Sequence, residues 1–97
     1  MQTEAMIPAS EFCIHHNIEL SFIYSLHDSG LIEIAITEEK VFVPVSQLDQ
    51  LEKLVRMHYM MDINLEGMEA ITHILQRMND LERKIRVLDS RLRMYED

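Results

Sequence analysis

The chain lacks most of what cross-links, kinks or anchors a protein. Its 97 residues include one cysteine, two glycines, two prolines and no tryptophan. A single cysteine cannot form an internal disulfide, which favours a reducing compartment and a cytoplasmic location. No apolar run approaches the roughly 20 residues that a membrane-spanning helix needs, and the segment MQTEAMIPAS has neither the basic nor the apolar region of a signal peptide. With 47% hydrophobic residues, the sequence predicts one small globular domain.

Positive charge is missing from the first 39 residues. No Lys or Arg precedes Lys40, whereas seven Asp and Glu residues do, so this segment carries nearly all of the net charge of −8. Such a surface repels phosphates and attracts basic partners. An acidic face can also do no more than keep a protein soluble, and charge alone does not separate these two interpretations.

The residue pattern predicts two short helices, a β-hairpin and a third helix. The first helix is expected over residues 8–17, and the second runs over 19–29 and ends at Gly30. Alternating residues over 32–37 and 41–43 predict two strands with a Glu-rich turn, and Ser46 is expected to cap the third helix. The second helix is expected to bury the stripe Leu20, Ile23, Tyr24 and Leu26-His27. The third helix is expected to bury Met57, Met60 and Met61 as core filler.

A long last helix follows the break at Asp62. Asn64 is its expected cap, and nothing interrupts the next ~31 residues, which would span about 47 Å. Two apolar heptad positions repeat four times, at Ile71, Ile74, Met78, Leu81, Ile85, Leu88, Leu92 and Tyr95. Arg77, Lys84 and Arg91 flank them on one side and Glu82, Asp89 and Glu96 on the other. The pattern predicts a head over residues 1–62 and a homodimeric coiled coil over 63–97. The flanking charges favour a parallel pair and packing of the heads an antiparallel one, so the direction stays open.

Signals of catalysis or of bound cofactors are few. There is no Gly-rich phosphate loop, no Gly-x-Ser-x-Gly elbow and no His-Glu-x-x-His motif. His27 and Asp28 are adjacent on a helix and therefore point in different directions. Cys13, His15 and His16 resemble a metal cluster, but a zinc site needs ligands from two separated pairs and no second cysteine exists. We therefore expect no enzyme activity, no metal and no cofactor.

The order of elements is that of a winged helix-turn-helix, and the exit Gly30-Leu31-Ile32 is similar to the head of MerR-type regulators. A DNA-reading protein of this kind would insert the second helix into the major groove and grip phosphates with Arg or Lys. Residues 19–29 contain neither, and Tyr24 stands where MerR-type heads carry a phosphate-gripping Arg. These features disfavour nucleic acid, and a DNA-binding MerR-like regulator is kept as the alternative function.

A second resemblance is more specific. The stretch over residues 55–58, the step Asp62-Ile63-Asn64-Leu65-Glu66-Gly67-Met68 and the following Ile71, Ile74-Leu75, Arg77-Met78 and Leu81-Glu82 resemble the chaperone-modulator family CbpM. The resemblance implies a non-enzymatic protein that binds the J-domain of a DnaJ-like co-chaperone (CbpA), inhibits it and blocks its DNA binding. A dimeric scaffold for another basic partner is a third possibility. By charge, we expect the partner-binding residues to be Glu19, Asp28, Glu33, Glu38 and Glu39, here called the five acidic residues.

Overall fold

A computed structural model describes residues 5–96. Residues 1–4 and Asp97, which the two predicted segments include, lie outside the described residues. The predicted fold class, mainly α with a small β wing and a long final helix, is confirmed. The elements are β1 Met6–Pro8, α1 Ala9–His16, α2 Leu20–Asp28, β2 Ala35–Thr37, β3 Lys40–Pro44, a 3₁₀ turn Val45–Gln47, α3 Leu48–Val55, a π-helical turn Arg56–Met60 and α4 Leu65–Glu96.

The wing is a three-stranded antiparallel sheet in the order β1-β3-β2. Strand β1, in which Ile7 pairs with Val43, was not predicted, because three residues before a helix show no alternation. The predicted strand over 32–37 is also too long. Ile32 enters the core instead, and the Glu33 amide donates to the Gln47 side chain (3.0 Å) before β2 begins at Ala35.

The first two helices end where expected, and each ends at a left-handed residue. Asn17 has φ 54° after α1, and Gly30 has φ 77° after α2. The amides that follow close the helix ends, with Ile18 donating to the Cys13 carbonyl (3.0 Å) and Leu31 to that of Leu26 (2.9 Å). These are the hydrogen bonds of the Schellman motif, so both predicted ends are confirmed.

The core sits between α1, α2, α3 and the wing. Its buried side chains are Ala9, Phe12, Cys13, Phe22, Ile23, Leu26, Ile32, Val41, Val43, Leu51, Leu54, Val55 and Met68. The predicted stripe of α2 is wrong in part, because Leu20 and Tyr24 are 37% and 38% exposed and His27 is also exposed. Helix α2 is rotated so that Phe22 is buried and stacks on His58, with the two ring centroids 4.7 Å apart.

The connection between α3 and α4 is shaped by local geometry rather than helical spacing. Helix α3 begins at Leu48, two residues after the expected cap Ser46, because a 3₁₀ turn precedes it. After α3 the π-helical turn breaks the 3.6-residue period. For that reason Met60 and Met61 are exposed, which corrects their interpretation as core filler, while Met57 is half-buried.

Asn64 caps α4 as expected, and Gly67 is part of that cap. The Asn64 Oδ1 accepts a hydrogen bond from the Gly67 amide (2.8 Å). A Cβ on Gly67 would lie 2.8 Å from Ile63 Cγ2 and 3.1 Å from Asn64 Oδ1, so a side chain at this position would displace Ile63 and the capping Asn64. The Ile63 carbonyl in turn accepts from His58 Nδ1 (3.0 Å), and Met68, one residue further on, is buried. The start of α4 is thereby fixed to the head.

The hairpin turn between β2 and β3 places two glutamates in a backbone conformation that they disfavour. Glu38 and Glu39 have φ 51° and 66°, the pattern of a tight hairpin turn that favours Asn-Gly. We expect the double change Glu38→Asn and Glu39→Gly to raise the free energy of unfolding by about 1 kcal/mol, measured by urea denaturation.

A matched variant separates backbone relief from charge in this experiment. Glu38→Gln with Glu39→Gln removes the same two charges and keeps the unfavourable backbone. Its free energy of unfolding should therefore rise much less than that of the Asn-Gly variant. Equal stability of the two variants would contradict the explanation from backbone strain.

Candidate functional site

The five acidic residues lie at the two ends of α2 and on the wing. Glu19 directly precedes α2 and Asp28 is its last residue, while Glu33 leads into β2 and Glu38 and Glu39 form the hairpin turn. All five are exposed. They are spread over these separate parts of the head, and their role as contacts with a partner stays a prediction.

These carboxylates are not neutralised within the described chain. Both ion pairs among residues 5–96 lie on α4, joining Arg83 to Asp80 (3.6 Å) and Arg93 to Asp89 (3.1 Å). Glu19 accepts a hydrogen bond from the Ser21 hydroxyl (3.3 Å). The negative charge of the head is therefore open to solvent and to any partner.

A groove separates α1 and α2 from the wing. Its volume is about 470 Å³, and it is lined by Pro8, Ser10, Glu11, Leu20, Tyr24, Glu39, Lys40, Val41 and Phe42. Sequence reasoning missed this site because it assigned Leu20 and Tyr24 to the core. The four-residue spacing of these two side chains could not tell which neighbour their face meets.

The outward side of α2 is where a winged helix-turn-helix would read DNA. Besides Leu20 and Tyr24, its exposed residues are Ser21, Ser25, His27 and Asp28. No Lys or Arg is present on α2, and the first one along the chain, Lys40, lies in the groove beside Glu39. This surface therefore offers little to a phosphate backbone.

The predicted dimerisation residues form an uncovered stripe along α4. Ile71 is half-buried, whereas Ile74, Met78, Leu81, Ile85, Leu88, Leu92 and Tyr95 are 46% to 89% exposed. Leu81 and Leu88 line a depression of about 380 Å³ together with Arg77 and Lys84. Their role in dimerisation stays a prediction.

A family comparison accounts for this arrangement of head and helix. The model of the MerR HTH family regulatory proteins matches residues 7–90. The chain belongs to the MerR helix-turn-helix family. No curated protein and no solved structure matched it. The family match covers the head and most of α4, and membership of the CbpM group stays a prediction.

The cysteine and histidines near the start of this MerR-family chain do not come together as a ligand set. Cys13 is buried, and desolvation raises the pKa of its thiol. His16 stacks on Phe12 with ring centroids 4.0 Å apart, while His15 is exposed. Among residues 5–96, no group of three or more His, Cys, Asp and Glu side chains is placed to hold a metal ion.

None of the helices within residues 5–96 combines the length and the apolar character needed to cross a membrane.

Proposed function

We propose that this MerR-family protein is a non-enzymatic modulator that binds the J-domain of a cytosolic DnaJ- or CbpA-like co-chaperone and inhibits it. The resemblance to CbpM implies this partner. The observation that carries the proposal is the unpaired acidic surface around α2, where a DNA-reading head needs positive charge. J-domains present a basic helix to their Hsp70, and an acidic surface attracts such a helix and competes for it.

The family also supports a second candidate, a DNA-binding regulator. Phosphate contacts supply most of the affinity in protein–DNA complexes, and α2 has no Lys or Arg to make them. DNA-binding heads of this kind also touch the DNA backbone with the turn of the wing. Here that turn consists of Glu38 and Glu39. The charge of the head therefore favours a J-domain over DNA as the binding partner.

Dimerisation through α4 is part of the proposal. An apolar stripe over most of a 32-residue helix is exposed in the single chain, and long apolar stripes of this kind mark interaction surfaces. The head is too small to cover the whole apolar stripe of α4. In a parallel pair, Arg77, Lys84 and Arg91 would face the residues of opposite charge Glu82, Asp89 and Glu96 of the second copy.

Capture experiments test the choice of partner. The tagged protein should recover a J-domain co-chaperone from extracts of its own organism and should not shift duplex DNA in a gel. A DNA shift at physiological salt with no J-protein recovered would replace the proposed function by the DNA-binding alternative.

Charge reversal on the wing tests how the partner is attracted. We expect the triple change of Glu33, Glu38 and Glu39 to Lys to slow association with a purified J-domain by about tenfold or more at low salt, because electrostatic steering acts mainly on the association rate. Stopped-flow or surface-binding kinetics at several salt concentrations would measure it.

A control variant with the same change in net charge carries Lys at Glu66, Glu69 and Asp80, which are exposed on α4. It should associate much faster than the wing variant, since none of its three positions belongs to the five acidic residues. An association rate unaffected by the wing reversal and by added salt would place the contact surface elsewhere, for example on α3.

A further inference from the structure

We propose that the groove between α2 and the wing binds one cationic amphipathic helix of a protein partner. This deepens the proposed function, on which it rests, by naming where on the acidic head the basic helix docks. Leu20 and Tyr24 of α2, the helix that would enter DNA in a winged helix-turn-helix, line one side of the groove.

The floor of the groove is apolar. Leu20 and Tyr24 are one turn apart on the same side of α2 and remain more than a third exposed, and half-buried Phe42 of β3 lines the same groove. Exposed aromatic and aliphatic side chains in a concavity serve as anchors for partner side chains, because burial removes them from water. At about 470 Å³ the groove has room for a few such side chains.

The rim of the groove is acidic. Two carboxylates, Glu11 of α1 and Glu39 of the hairpin turn, line it. Neither of these carboxylates is in an ion pair within residues 5–96. The one cation of the groove is Lys40. An occupant with apolar residues on one face and Lys or Arg beside them would match both floor and rim.

The sheet favours a helical occupant over an extended one. The wall of the groove is β3, and β3 is hydrogen-bonded to β1 on one side and to β2 on the other. An extended segment in the groove would find no free edge on β3, and Pro8 of edge strand β1, which also lines the groove, has no amide to donate. A helix satisfies its own backbone hydrogen bonds and needs only side-chain contacts.

A labelled peptide provides the direct test. The probe is a fluorescent amphipathic peptide with Leu along one helical face and Lys on either side, titrated into the full-length protein and followed by anisotropy. The double change Leu20→Ala and Tyr24→Ala should weaken binding by about tenfold or more. Tyr24→Phe should retain binding, because the ring is kept.

Matched controls separate the groove from general attraction to an acidic protein. Ile14 and Ile36 are also exposed apolar residues and lie outside the groove, so Ile14→Ala with Ile36→Ala should leave the affinity unchanged. Lys40→Gln should leave it equal or tighter. A peptide with Glu in place of Lys should not bind. Circular dichroism checks that each variant is folded.

The outcomes distinguish this proposal from the proposed function. Equal binding of the peptide to the Leu20/Tyr24 variant and to the control variant would overturn the groove as its binding site. Competition by duplex DNA, together with weaker binding after Lys40→Gln, would overturn it as well. Capture of a J-domain that the groove variant leaves unchanged would overturn the groove and keep the J-domain function. Groove-dependent peptide binding without capture of any J-domain would keep the groove and overturn the J-domain function.

Discussion

Replacing Leu81 and Leu88 together by Asp is expected to reduce the protein in solution from a dimer to a single chain of 11.5 kDa. Both leucines lie in the exposed stripe of α4, and both line its apolar depression. In a paired coil they would be buried against the second copy, where four unpaired carboxylates would cost far more than the interface gains. Light scattering at tens of micromolar measures the mass.

A control with the same added charge shows whether the stripe itself is responsible. Asn79 and Ser90 are exposed and occupy heptad positions outside the stripe, so Asn79→Asp with Ser90→Asp should keep the dimer. The head of the leucine variant should stay folded, because the core residues come from the first 68 positions. Monomeric mass of the unchanged protein at this concentration would refute dimerisation through α4.

Shortening Met68 to Ala is expected to lower the free energy of unfolding by about 2–4 kcal/mol, a large part of the 5–15 kcal/mol typical of a domain. Met68 is the one residue of α4 that is fully buried, at 1% exposure, and it packs into the core of the head. Its loss leaves a cavity where helix and head are joined. Urea denaturation at fixed protein concentration measures the change, since dimerisation makes stability depend on concentration.

Another methionine of the same helix provides the control. Met94 is 79% exposed, so Met94→Ala makes the same chemical change without opening a cavity and should shift stability by less than about 0.5 kcal/mol. Comparable losses for the two variants would mean that Met68 does not hold α4 to the head.

Features specified by single residues could be predicted from the sequence. Asn17 and Gly30 end helices because a left-handed residue is required there, and Asn64 begins one because its side chain accepts the Gly67 amide. The apolar stripe of α4 could also be predicted, since its period persists over four heptads. Local chemistry determines each of these features.

Features that depend on a neighbour in space could not be predicted. Strand β1 exists because Ile7 pairs with Val43, more than thirty positions away. Leu20 and Tyr24 have the spacing of core residues, and only the rotation of α2 that buries Phe22 leaves them open in the groove. Of the five acidic residues, only Glu39 lines this groove, and the apolar part of the groove was not predicted.

The capped junction at Asn64 also fixes the orientation of α4 relative to the head. With the Ile63 carbonyl held by His58 and Met68 anchored in the core, no flexible linker separates the head from α4. Each residue along a helix turns the next by about 100° and advances it by about 1.5 Å. The direction in which each side chain of α4 points is thus fixed relative to the acidic head. In a dimer joined through the stripe, the number of residues between Asn64 and the stripe would therefore set the angle between the two grooves.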